Sequence, residues 1–365
     1  MQQKKILHIT YDMRIGGTET VIKNIVTGLD NQQFSNEILC LEPKLGPFGE
    51  QLKEQGFKIT NLNWQGGFDL SLISAIRSYI RSNGVDVLHC HQYTPWVYGV
   101  LGALGTKAKV IFTEHGRFYP DRSHWKRRFI NPLLLLRTSA VTAISKATKQ
   151  ALVDFEFIPE RRIDVIYNGI APLEVDPVEV ATLRCDLGFA DDDIILGTVA
   201  RLDPIKNQTM MLEAFADVLK EKPNCRLLIV GDGEMRQQLE DLTDSLGIRA
   251  KVLFTGYQAK PAPYLALMDV FLLSSFSEGT SMTLLEAMSL GIPSVVTDVG
   301  GNKEVISNPL LGEVSQSMSK QSFSSHIRKC LDVLEHNSSS RLRYEYFTTY
   351  FSFKKMNKEY SKIFE

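Results

Sequence analysis

Two glutamates stand eight residues apart, Glu278 and Glu286, in a segment that is typical of a strand, a loop and a helix in succession. The apolar run ends at Leu273, and a helical pattern begins near Ser281. A helix N-terminus presents free backbone N–H groups and partial positive charge, which suits a diphosphate. Carboxylates would repel that group, so we expect both glutamates to accept hydrogen bonds from sugar hydroxyls. The alternative is that they are ordinary surface charges beside a helix dipole.

A basic pair, Arg201 and Lys206, follows the apolar run at residues 194–200. Pro204 between them indicates a turn, and a helical pattern begins directly afterwards. Arginine offers bidentate hydrogen bonds to phosphate oxygens, and lysine is a compact point charge. We therefore expect the pair to neutralise a leaving diphosphate, with an ordinary basic turn as the alternative.

Two further positions follow predicted strands in the first half of the chain. Gly16 and Gly17 come before the first predicted helix, and glycines there let the backbone approach a phosphate or a sugar closely. His115 follows the strand predicted at residues 108–113, where an imidazole can bond a sugar hydroxyl. The alternatives are a tight turn and a buried structural histidine.

His89 and His91 have the alternate spacing that places two side chains on one face of a strand, with Cys90 on the other face. A metal site needs a third ligand at suitable spacing, and the sequence around them offers none. We therefore expect no metal and interpret the two histidines as the lining of a ligand cleft.

The segment from Gly231 to Arg236 begins like a dinucleotide-binding fingerprint, but Arg236 stands where the last glycine belongs. NAD is therefore not expected. The sequence also has no GxxxxGK[ST] motif, which removes the P-loop kinases. Gly231 and Tyr257 still lie at predicted strand ends, where a nucleobase can pack.

Apolar runs alternate with amphipathic segments along nearly the whole chain, which predicts doubly wound parallel sheets. The predicted strands are residues 5–10, 35–41, 85–90, 108–113, 140–143, 163–167, 194–200, 226–230, 251–254, 270–273 and 294–297. The predicted helices between them include residues 18–29, 70–82, 146–153, 208–220, 234–246 and 281–290. An Asn-Gly turn and two prolines at residues 168–177 indicate a hinge, so we expect two domains with a ligand cleft at their strand ends.

Length and composition agree with this organisation. At 365 residues the chain exceeds one typical core, and a formal net charge of −1 gives no global attraction for nucleic acid or anionic membrane. Its five scattered cysteines form no CxxC pair, which favours a reducing compartment. Because the sequence has no apolar run of about 20 residues, we expect a cytoplasmic protein.

Taken together, these residues resemble the retaining glycosyltransferases of family four, which have the GT-B fold. The resemblance is carried by residues 16–17, 166–170, 201–206, 231–234, 278–286 and 300–304, and it extends over residues 5–306. It implies two Rossmann-like α/β domains, an acceptor-side domain at residues 1–170 and a nucleotide-sugar domain at residues 171–350. A C-terminal helix at residues 351–365 would pack back on the first domain.

The resemblance also implies roles for individual residues. Glu286 would hold the ribose, Glu278 a hydroxyl of the donor sugar, and Arg201 with Lys206 the diphosphate, while His115 would lie near the sugar's outer hydroxyl. The expected donor contacts are Gly16, Gly17, Arg201, Lys206, Gly231, Tyr257, Glu278, Gly279, Thr280, Ser281, Met282 and Glu286. The catalytic set would be His115, Arg201, Lys206 and Glu278.

The implied activity is a retaining, metal-independent hexosyl transfer from a UDP-sugar or GDP-sugar, which is a substrate, with no cofactor. The acceptor would be a glycan or a lipid-linked molecule in bacterial cell-surface polysaccharide biosynthesis. A nucleotide-sugar epimerase of the same fold and a non-catalytic nucleotide-sugar-binding protein are the alternatives.

A basic and aromatic stretch follows His115 and predicts the acceptor side. Its members are Arg117, Trp125, Lys126, Arg127 and Arg128. Such a stretch can lie on an anionic membrane or grip a lipid-linked diphosphate, and we expect weak peripheral contact with the inner face of the cell membrane. The alternative is a solvated helix face.

Overall fold

The computed structural model describes residues 3–116, 124–336 and 339–365. The chain divides into two compact units, the first comprising Met1–Ile170 with Phe353–Glu365 and the second comprising Ala171–Ser352. Each unit contains one parallel sheet with helices packed against it. The predicted α/β fold with two Rossmann-like sheets is confirmed.

The first unit is built on seven strands in the order β3-β2-β1-β4-β5-β6-β7. The strands are β1 (Lys4–Thr10), β2 (Phe34–Cys40), β3 (Lys58–Asn61), β4 (Val87–His91), β5 (Lys109–Glu114), β6 (Thr138–Ala143) and β7 (Ile163–Val165). The helices between them are α1 (Gly17–Gly28), α2 (Pro47–Glu54), α3 (Leu70–Asn83), α4 (Tyr93–Ala103), α5 (Arg127–Leu135) and α6 (Lys146–Glu156). Strand β4 is buried along its whole length, as expected of a parallel strand covered on both faces.

The second unit has six strands in the order β10-β9-β8-β11-β12-β13. They are β8 (Ile194–Val199), β9 (Cys225–Val230), β10 (Val252–Gly256), β11 (Val270–Leu273), β12 (Ser294–Thr297) and β13 (Gly312–Ser315). The helices are α7 (Pro177–Asp186), α8 (Gln208–Leu219), α9 (Arg236–Ser245), α10 (Ala262–Ala266), α11 (Met282–Ser289), α12 (Asn302–Val305), α13 (Lys320–His336) and α14 (Ser340–Tyr350). All strand pairs of this sheet are parallel, and residues 204–206 form a short 3-10 helix before α8.

The last helix, α15 (Phe353–Phe364), belongs to the first unit and packs on α1. Its backbone begins with a 2.8 Å hydrogen bond from Phe353 N to Ile170 O. The buried side chains of Tyr360 and Phe364 lie against His89. The C-terminal helix therefore closes one face of the first sheet.

Two edge strands, β3 and β13, were not predicted. Each is four residues long, and their sequences, Lys-Ile-Thr-Asn and Gly-Glu-Val-Ser, mix polar and apolar residues. Edge strands are covered less completely than central ones, so they lack the continuous apolar run by which the other strands are identified.

Candidate functional site

The strand order of the second sheet reverses between β8 and β11, which are neighbours that pair at Val270 and Leu196. In open parallel sheets, ligands bind outside the carboxyl ends of strands at such a switch point. The chain leaves β8 toward Arg201 and Lys206, and it leaves β11 toward Glu278. The topology therefore brings these sequence-predicted residues to one edge of one sheet.

Lys206 and Glu278 form an ion pair, with Lys206 Nζ 2.7 Å from Glu278 Oε1. The Ser275 hydroxyl donates to the same carboxylate oxygen at 2.6 Å. The side chain of Glu278 is only 9% exposed and that of Lys206 is 23% exposed, so the pair is largely shielded from water. Shielding strengthens the attraction, and the pair fixes both side chains at the switch point.

Backbone and hydroxyl contacts hold the two loops together. Ser274 Oγ donates to the carbonyl oxygens of Lys206 at 2.9 Å and Asn207 at 3.0 Å, and Phe276 N donates to Ile205 O at 2.8 Å. Asn207 has a φ of 51°, a left-handed conformation that asparagine tolerates better than most residues. The sharp turn at Asn207 carries the chain from the 3-10 helix into α8.

A glycine pair that the sequence analysis did not place in the site supports the Glu278 loop. Gly301 N donates to Gly279 O at 2.8 Å. Gly300 has a φ of 51°, and a Cβ atom there would lie 1.8 Å from Glu278 O. No side chain fits that space, so Gly300 allows the two loops to touch. The double glycine after β12 was the available sequence signal.

Helix α11 begins just after this loop, one residue later than predicted. The Ser281 hydroxyl caps it by accepting from Leu284 N at 3.4 Å. The chain enters the helix through Gly279, Thr280, Ser281 and Met282. Of these residues, Thr280 and Ser281 are buried. The expected diphosphate-binding amides therefore stand beside the Lys206–Glu278 pair in the chain.

Glu286 lies in the second turn of α11 and is partly buried. Burial raises the pKa of its carboxyl group to about 7. Within the described ranges, the structure gives this carboxylate no hydrogen-bond or ion-pair partner. Glu286 can thus accept hydrogen bonds from a ligand, and ligand hydroxyls would favour its ionised form.

Arg201 stands apart from the ion pair that Lys206 makes. Its side chain is 77% exposed, and its Nε lies 2.6 Å from Asp203 Oδ2. The Asp203 side chain is 13% exposed, and a pair whose arginine is largely solvated contributes little to stability. Lys206 and Glu278 are joined directly, whereas Arg201 is paired with Asp203.

The backbone ends of β8, β9 and β10 meet at Gly231. Gly231 N donates to Gly256 O at 2.9 Å, and with a φ of 137° its backbone lies so close to Ala200 that an added Cβ would be 1.9 Å from Ala200 O. Tyr257 follows Gly256 directly and is 66% exposed. An exposed aromatic ring at this sheet edge can stack on a planar base.

In the first unit, Gly16 is the N-cap of α1 in an extended conformation, and Gly17 is the first helical residue. The Glu19 carboxylate folds over this turn, because a Cβ atom on Gly16 would lie 2.3 Å from Glu19 Oε2. Burial raises the pKa of Glu19 to about 7. Glu19 was not among the residues predicted for the site.

The interpretation of His89 and His91 as cleft lining is wrong, because both are fully buried in the first unit, where His89 packs against α15. His8 of β1 supplies the third histidine that local spacing did not reveal. One nitrogen from each of His8, His89 and His91 lies within 4.8 Å of the others, so their proximity alone would allow a metal ion. His8 Nδ1 and His91 Nε2 are hydrogen-bonded to one another at 3.1 Å.

His115 lies one residue beyond β5 and is 9% exposed. Its Nε2 is 2.8 Å from His91 Nδ1. Burial lowers the pKa of His115 to about 3, so the imidazole is neutral at physiological pH. His115 therefore lies at the end of β5 and is hydrogen-bonded to the buried histidines through His91.

Arg127, which was predicted on the acceptor or membrane side, is half-buried, unlike its neighbours in the basic stretch. Arg127 forms an ion pair with the buried Glu156, and its guanidinium lies 4.5 Å from the centre of the Tyr93 ring. Trp125, Lys126 and Arg128 are exposed, as expected. Arg117 lies outside the described residues.

The outward face of α5 is apolar. Trp125, Phe129 and Leu133 are 65–70% exposed, and Leu136 is 84% exposed. These positions follow one another at helical spacing, so they form one stripe. We call Trp125, Phe129, Leu133 and Leu136 the α5 stripe. Nowhere in the described part of the chain is a helix both long and apolar enough to cross a bilayer.

Comparison with known proteins identifies both units. The family model for Glycosyltransferase Family 4 matches residues 15–172, and the model for Glycosyl transferases group 1 matches residues 180–345. An uncharacterized glycosyltransferase of Methanocaldococcus jannaschii is 33% identical over 62% of this chain and 61% of its own length. The aligned part of the chain thus spans about three-fifths of that relative.

Two further likenesses extend over nearly the whole chain. The UDP-Gal:alpha-D-GlcNAc-diphosphoundecaprenol alpha-1,3-galactosyltransferase of Escherichia coli is 23% identical over 93% of this chain and 92% of its own. The crystal structure of Anabaena HepE in complex with UDP superposes with a TM-score of 0.86 at 20% identity, covering 98% of this chain and 99% of that one. Because the two family models together match most of the sequence and the fold agrees, the chain belongs to the family-four glycosyltransferases with the GT-B fold.

Proposed function

We propose that the protein transfers a hexose, with retention of configuration and without a metal ion, from a nucleotide diphosphate sugar to a glycan or lipid-linked acceptor. The process would be cell-surface polysaccharide biosynthesis. The observation that supports this proposal best is the Lys206–Glu278 pair at the switch point of the second sheet, beside the beginning of α11. Membership of a glycosyltransferase family supports transfer over epimerisation and over binding without catalysis.

Cleavage of the anomeric bond leaves negative charge on the diphosphate. Lys206 would move its contact from Glu278 to a phosphate oxygen, and the backbone amides of residues 279–282 would donate to the same group. Fixed donors aimed at developing charge lower a barrier because they need no reorganisation during the reaction. The exposed Arg201 would join them after releasing Asp203. Glu278, freed from Lys206, would accept hydrogen bonds from sugar hydroxyls.

The remaining donor contacts follow from the same placement. Glu286, whose carboxylate has free acceptor capacity in the described structure, would accept from the two ribose hydroxyls. Gly231 and Tyr257 would receive the base. In the first unit, Gly16 and Gly17 would approach the phosphates and His115 a sugar hydroxyl. Retention would follow attack from the face of the leaving group, with the phosphate itself as the base.

The positions of the acidic residues relative to the second sheet support transfer without a metal ion. The acidic run at residues 191–193 precedes β8, so it stands at the amino edge of the sheet, whereas Lys206 follows the carboxyl edge. A carboxylate pair that bridges a metal to the diphosphate would have to stand at the carboxyl edge, where Asp203 and Glu278 are already ion-paired with Arg201 and Lys206. Lys206 and Arg201 would supply the positive charge instead. Full transfer activity in excess EDTA is the expected result, and loss that Mg²⁺ or Mn²⁺ restores would contradict it.

We propose UDP as the first nucleotide to test, since the E. coli relative is named for UDP-Gal and the Anabaena structure contains UDP. The screen compares UDP, GDP, ADP and their hexoses by thermal shift. A ligand at 100 times its dissociation constant stabilises the folded state by about 2.7 kcal/mol, so the true nucleotide should be distinguishable. If none of the nucleotides or nucleotide hexoses stabilises the wild-type protein, the proposal is contradicted. Glu286→Gln is the control, because it should weaken the response to the true nucleotide alone.

The same sample distinguishes transfer from epimerisation. Donor incubated without acceptor should remain unchanged or hydrolyse slowly, as followed by chromatography of the released nucleotide and sugar. Interconversion of the donor sugar would favour the epimerase instead.

For the acceptor side, we propose a lipid-linked diphosphate at an anionic membrane surface. The E. coli relative is named for an acceptor of this chemistry. The α5 stripe offers apolar side chains that would enter the boundary between headgroups and acyl chains, and the exposed Lys126 and Arg128 beside it complement anionic headgroups.

A further inference from the structure

Three imidazoles form a buried hydrogen-bonded row in the first unit. His115 Nε2 is 2.8 Å from His91 Nδ1, and His91 Nε2 is 3.1 Å from His8 Nδ1. The residues come from three neighbouring strands, with His8 in β1, His91 at the end of β4 and His115 just beyond β5. A neutral imidazole has one N–H and one acceptor nitrogen, so the hydrogens along the row must all point the same way.

Asn36 on β2 sets that direction. Its Oδ1 is 3.2 Å from His8 Nε2, and its Nδ2 donates to Val26 O over a long 3.5 Å. A carbonyl oxygen accepts only, so the amide nitrogen must face Val26 and the amide oxygen must face His8. His8 therefore carries its hydrogen on Nε2 and has a lone pair on Nδ1.

The tautomer of His8 determines those of His91 and His115. His91 donates from Nε2 to His8 Nδ1, which leaves its own Nδ1 to accept from His115 Nε2–H. Burial lowers the pKa of His8 to about 4 and that of His115 to about 3, and it holds the pKa of His91 well below its usual value. All three rings are consequently neutral at physiological pH, and no second hydrogen interrupts the order.

The row ends at His115 Nδ1, which is buried and has no hydrogen-bond partner in the described structure. A buried acceptor without a donor carries a desolvation penalty, and sites of this kind usually await a ligand or a water molecule. We propose that Asn36, His8 and His91 are positioning residues that fix the tautomer of His115, so that His115 offers a neutral acceptor and the ligand group placed there must donate.

This inference rests on the proposed function for the identity of the ligand, and it adds a rule for the donor sugar. The group against His115 would be a hydroxyl, which can donate. A carboxylate only accepts, so a hexuronate that places its carboxylate there would meet the lone pair of Nδ1 and lack its hydrogen bond. The structure thus favours a neutral sugar over an acidic one.

The tautomer can be measured without any ligand or any activity. Protein with ¹⁵N-labelled histidine gives long-range ¹H–¹⁵N correlation patterns that distinguish an Nε2–H ring from an Nδ1–H ring. The seven histidines are assigned by single substitutions, including His115→Gln for the ring in question. We expect His8, His91 and His115 of the wild-type protein to be Nε2–H tautomers at pH 7. A wild-type His115 that is predominantly Nδ1–H would overturn the proposal, whether or not the protein transfers sugar.

Variants at Asn36 test the origin of the order. Asn36→Leu removes the acceptor, so His115 should become a mixture of both tautomers, whereas Asn36→Asp retains an acceptor oxygen and should keep Nε2–H. Ser35→Ala on the same strand is the control that should change nothing. An unchanged tautomer in a folded Asn36→Leu variant would contradict the relay.

The affinity for neutral and acidic sugars tests the contact between His115 and the ligand. The nucleotide hexose that stabilises the wild-type protein is compared with the matched nucleotide hexuronate, and we expect the hexuronate to bind at least about tenfold more weakly. Saturation with the hexose should shift the His115 Nδ1 resonance while Nε2–H persists. Equal affinity, or no shift at saturation, would remove His115 from the ligand contacts, although the tautomer result would stand.

Discussion

The Lys206 ammonium lies 2.7 Å from Glu278 Oε1 and joins the loops that follow two neighbouring strands, β8 and β11. Before a ligand binds, each charge neutralises the other in a place with little access to water. In the proposed function, a diphosphate would replace the carboxylate as the partner of Lys206. The pair would therefore hold both side chains in place until the donor binds.

Replacement of Lys206 by Met should separate stability from catalysis. The buried Glu278 loses its counter-ion, so the variant should unfold more readily, by about 1–3 kcal/mol. The rate constant kcat/KM should fall about 100-fold to 1000-fold, since one fixed donor to the leaving group is lost. Calorimetry and initial rates with the identified donor measure the two effects.

The double variant Lys206→Met/Glu278→Gln provides the internal control. Without the unpaired charge it should regain part of the stability and none of the activity. Lys220→Met, which breaks the exposed pair with Asp217, should change neither quantity measurably. An active double variant would show that the pair has no part in transfer.

Glu286→Gln should change how stability depends on pH. The folded-state pKa of Glu286 is about 7 against an ordinary value of 4.5, so between these values the folded state binds more protons than the unfolded state. The free energy of unfolding that this residue contributes therefore falls as pH rises through that interval. The variant should gain stability relative to wild type from pH 5 to pH 7.5, as followed by Tm.

Nucleotide affinity provides a second measurement on Glu286. Ribose hydroxyls donate to the ionised carboxylate, so wild-type affinity should decrease as pH falls below about 7 and the affinity of Glu286→Gln should be lower and nearly constant. Glu179→Gln on α7 is an exposed control. Parallel pH profiles for wild type and Glu286→Gln would exclude Glu286 from the nucleotide contacts.

Gly300→Ala tests the contact between the glycine pair and the Glu278 loop. Alanine is strained at a φ of 51°, and its Cβ would lie 1.8 Å from Glu278 O, so the loop must move. We expect a stability loss of more than about 1 kcal/mol and at least a tenfold fall in kcat/KM.

Gly247→Ala is the matched control for Gly300→Ala. Gly247 has a φ of 68° and no neighbour within 4 Å, so the substitution introduces the backbone strain without the contact. It should lower stability by about 1 kcal/mol and leave kcat/KM unchanged. If both variants retain full activity, the position of the Glu278 loop does not limit transfer.

The α5 stripe should govern binding to anionic membranes. Leu133→Ser/Leu136→Ser removes two exposed apolar side chains, and each leucine contributes up to about 1.5–3 kcal/mol when fully buried in an apolar phase. We expect partitioning into vesicles of equal phosphatidylglycerol and phosphatidylcholine to fall at least tenfold, as measured by co-sedimentation.

Leu310→Ser/Leu342→Ser is the control pair, since both leucines are about 40% exposed and lie in the second unit. Arg128→Glu should weaken binding to anionic vesicles and have no effect with pure phosphatidylcholine. Arg127 is unsuitable for this test because its substitution would remove the cation that is paired with the buried Glu156. Equal partitioning of wild type and the Leu133/Leu136 variant would refute the membrane proposal.

Much of the fold could be predicted because central parallel strands are continuous apolar runs. The exceptions have physical reasons. The polar edge strands β3 and β13 lack such runs, and α4 was not among the predicted elements because it is buried on nearly every side and has no amphipathic period. In the sequence, Arg127 is one of several basic residues in a row. Its partner Glu156 could not be predicted from local spacing, because it lies 29 residues further along the chain.

The sequence by itself determined the residue types that the site needs, their positions at strand ends, and the family to which they are similar. Only the tertiary structure decided which residues touch. Lys206, and not Arg201, is paired with Glu278. His8 contacts His91, and Gly300 lies against the Glu278 backbone. The reason is that a parallel sheet aligns the carboxyl ends of strands that are distant in sequence, 72 residues for Lys206 and Glu278 and 83 for His8 and His91. Local spacing contains no information about such partners, since they are chosen by strand order and side-chain packing.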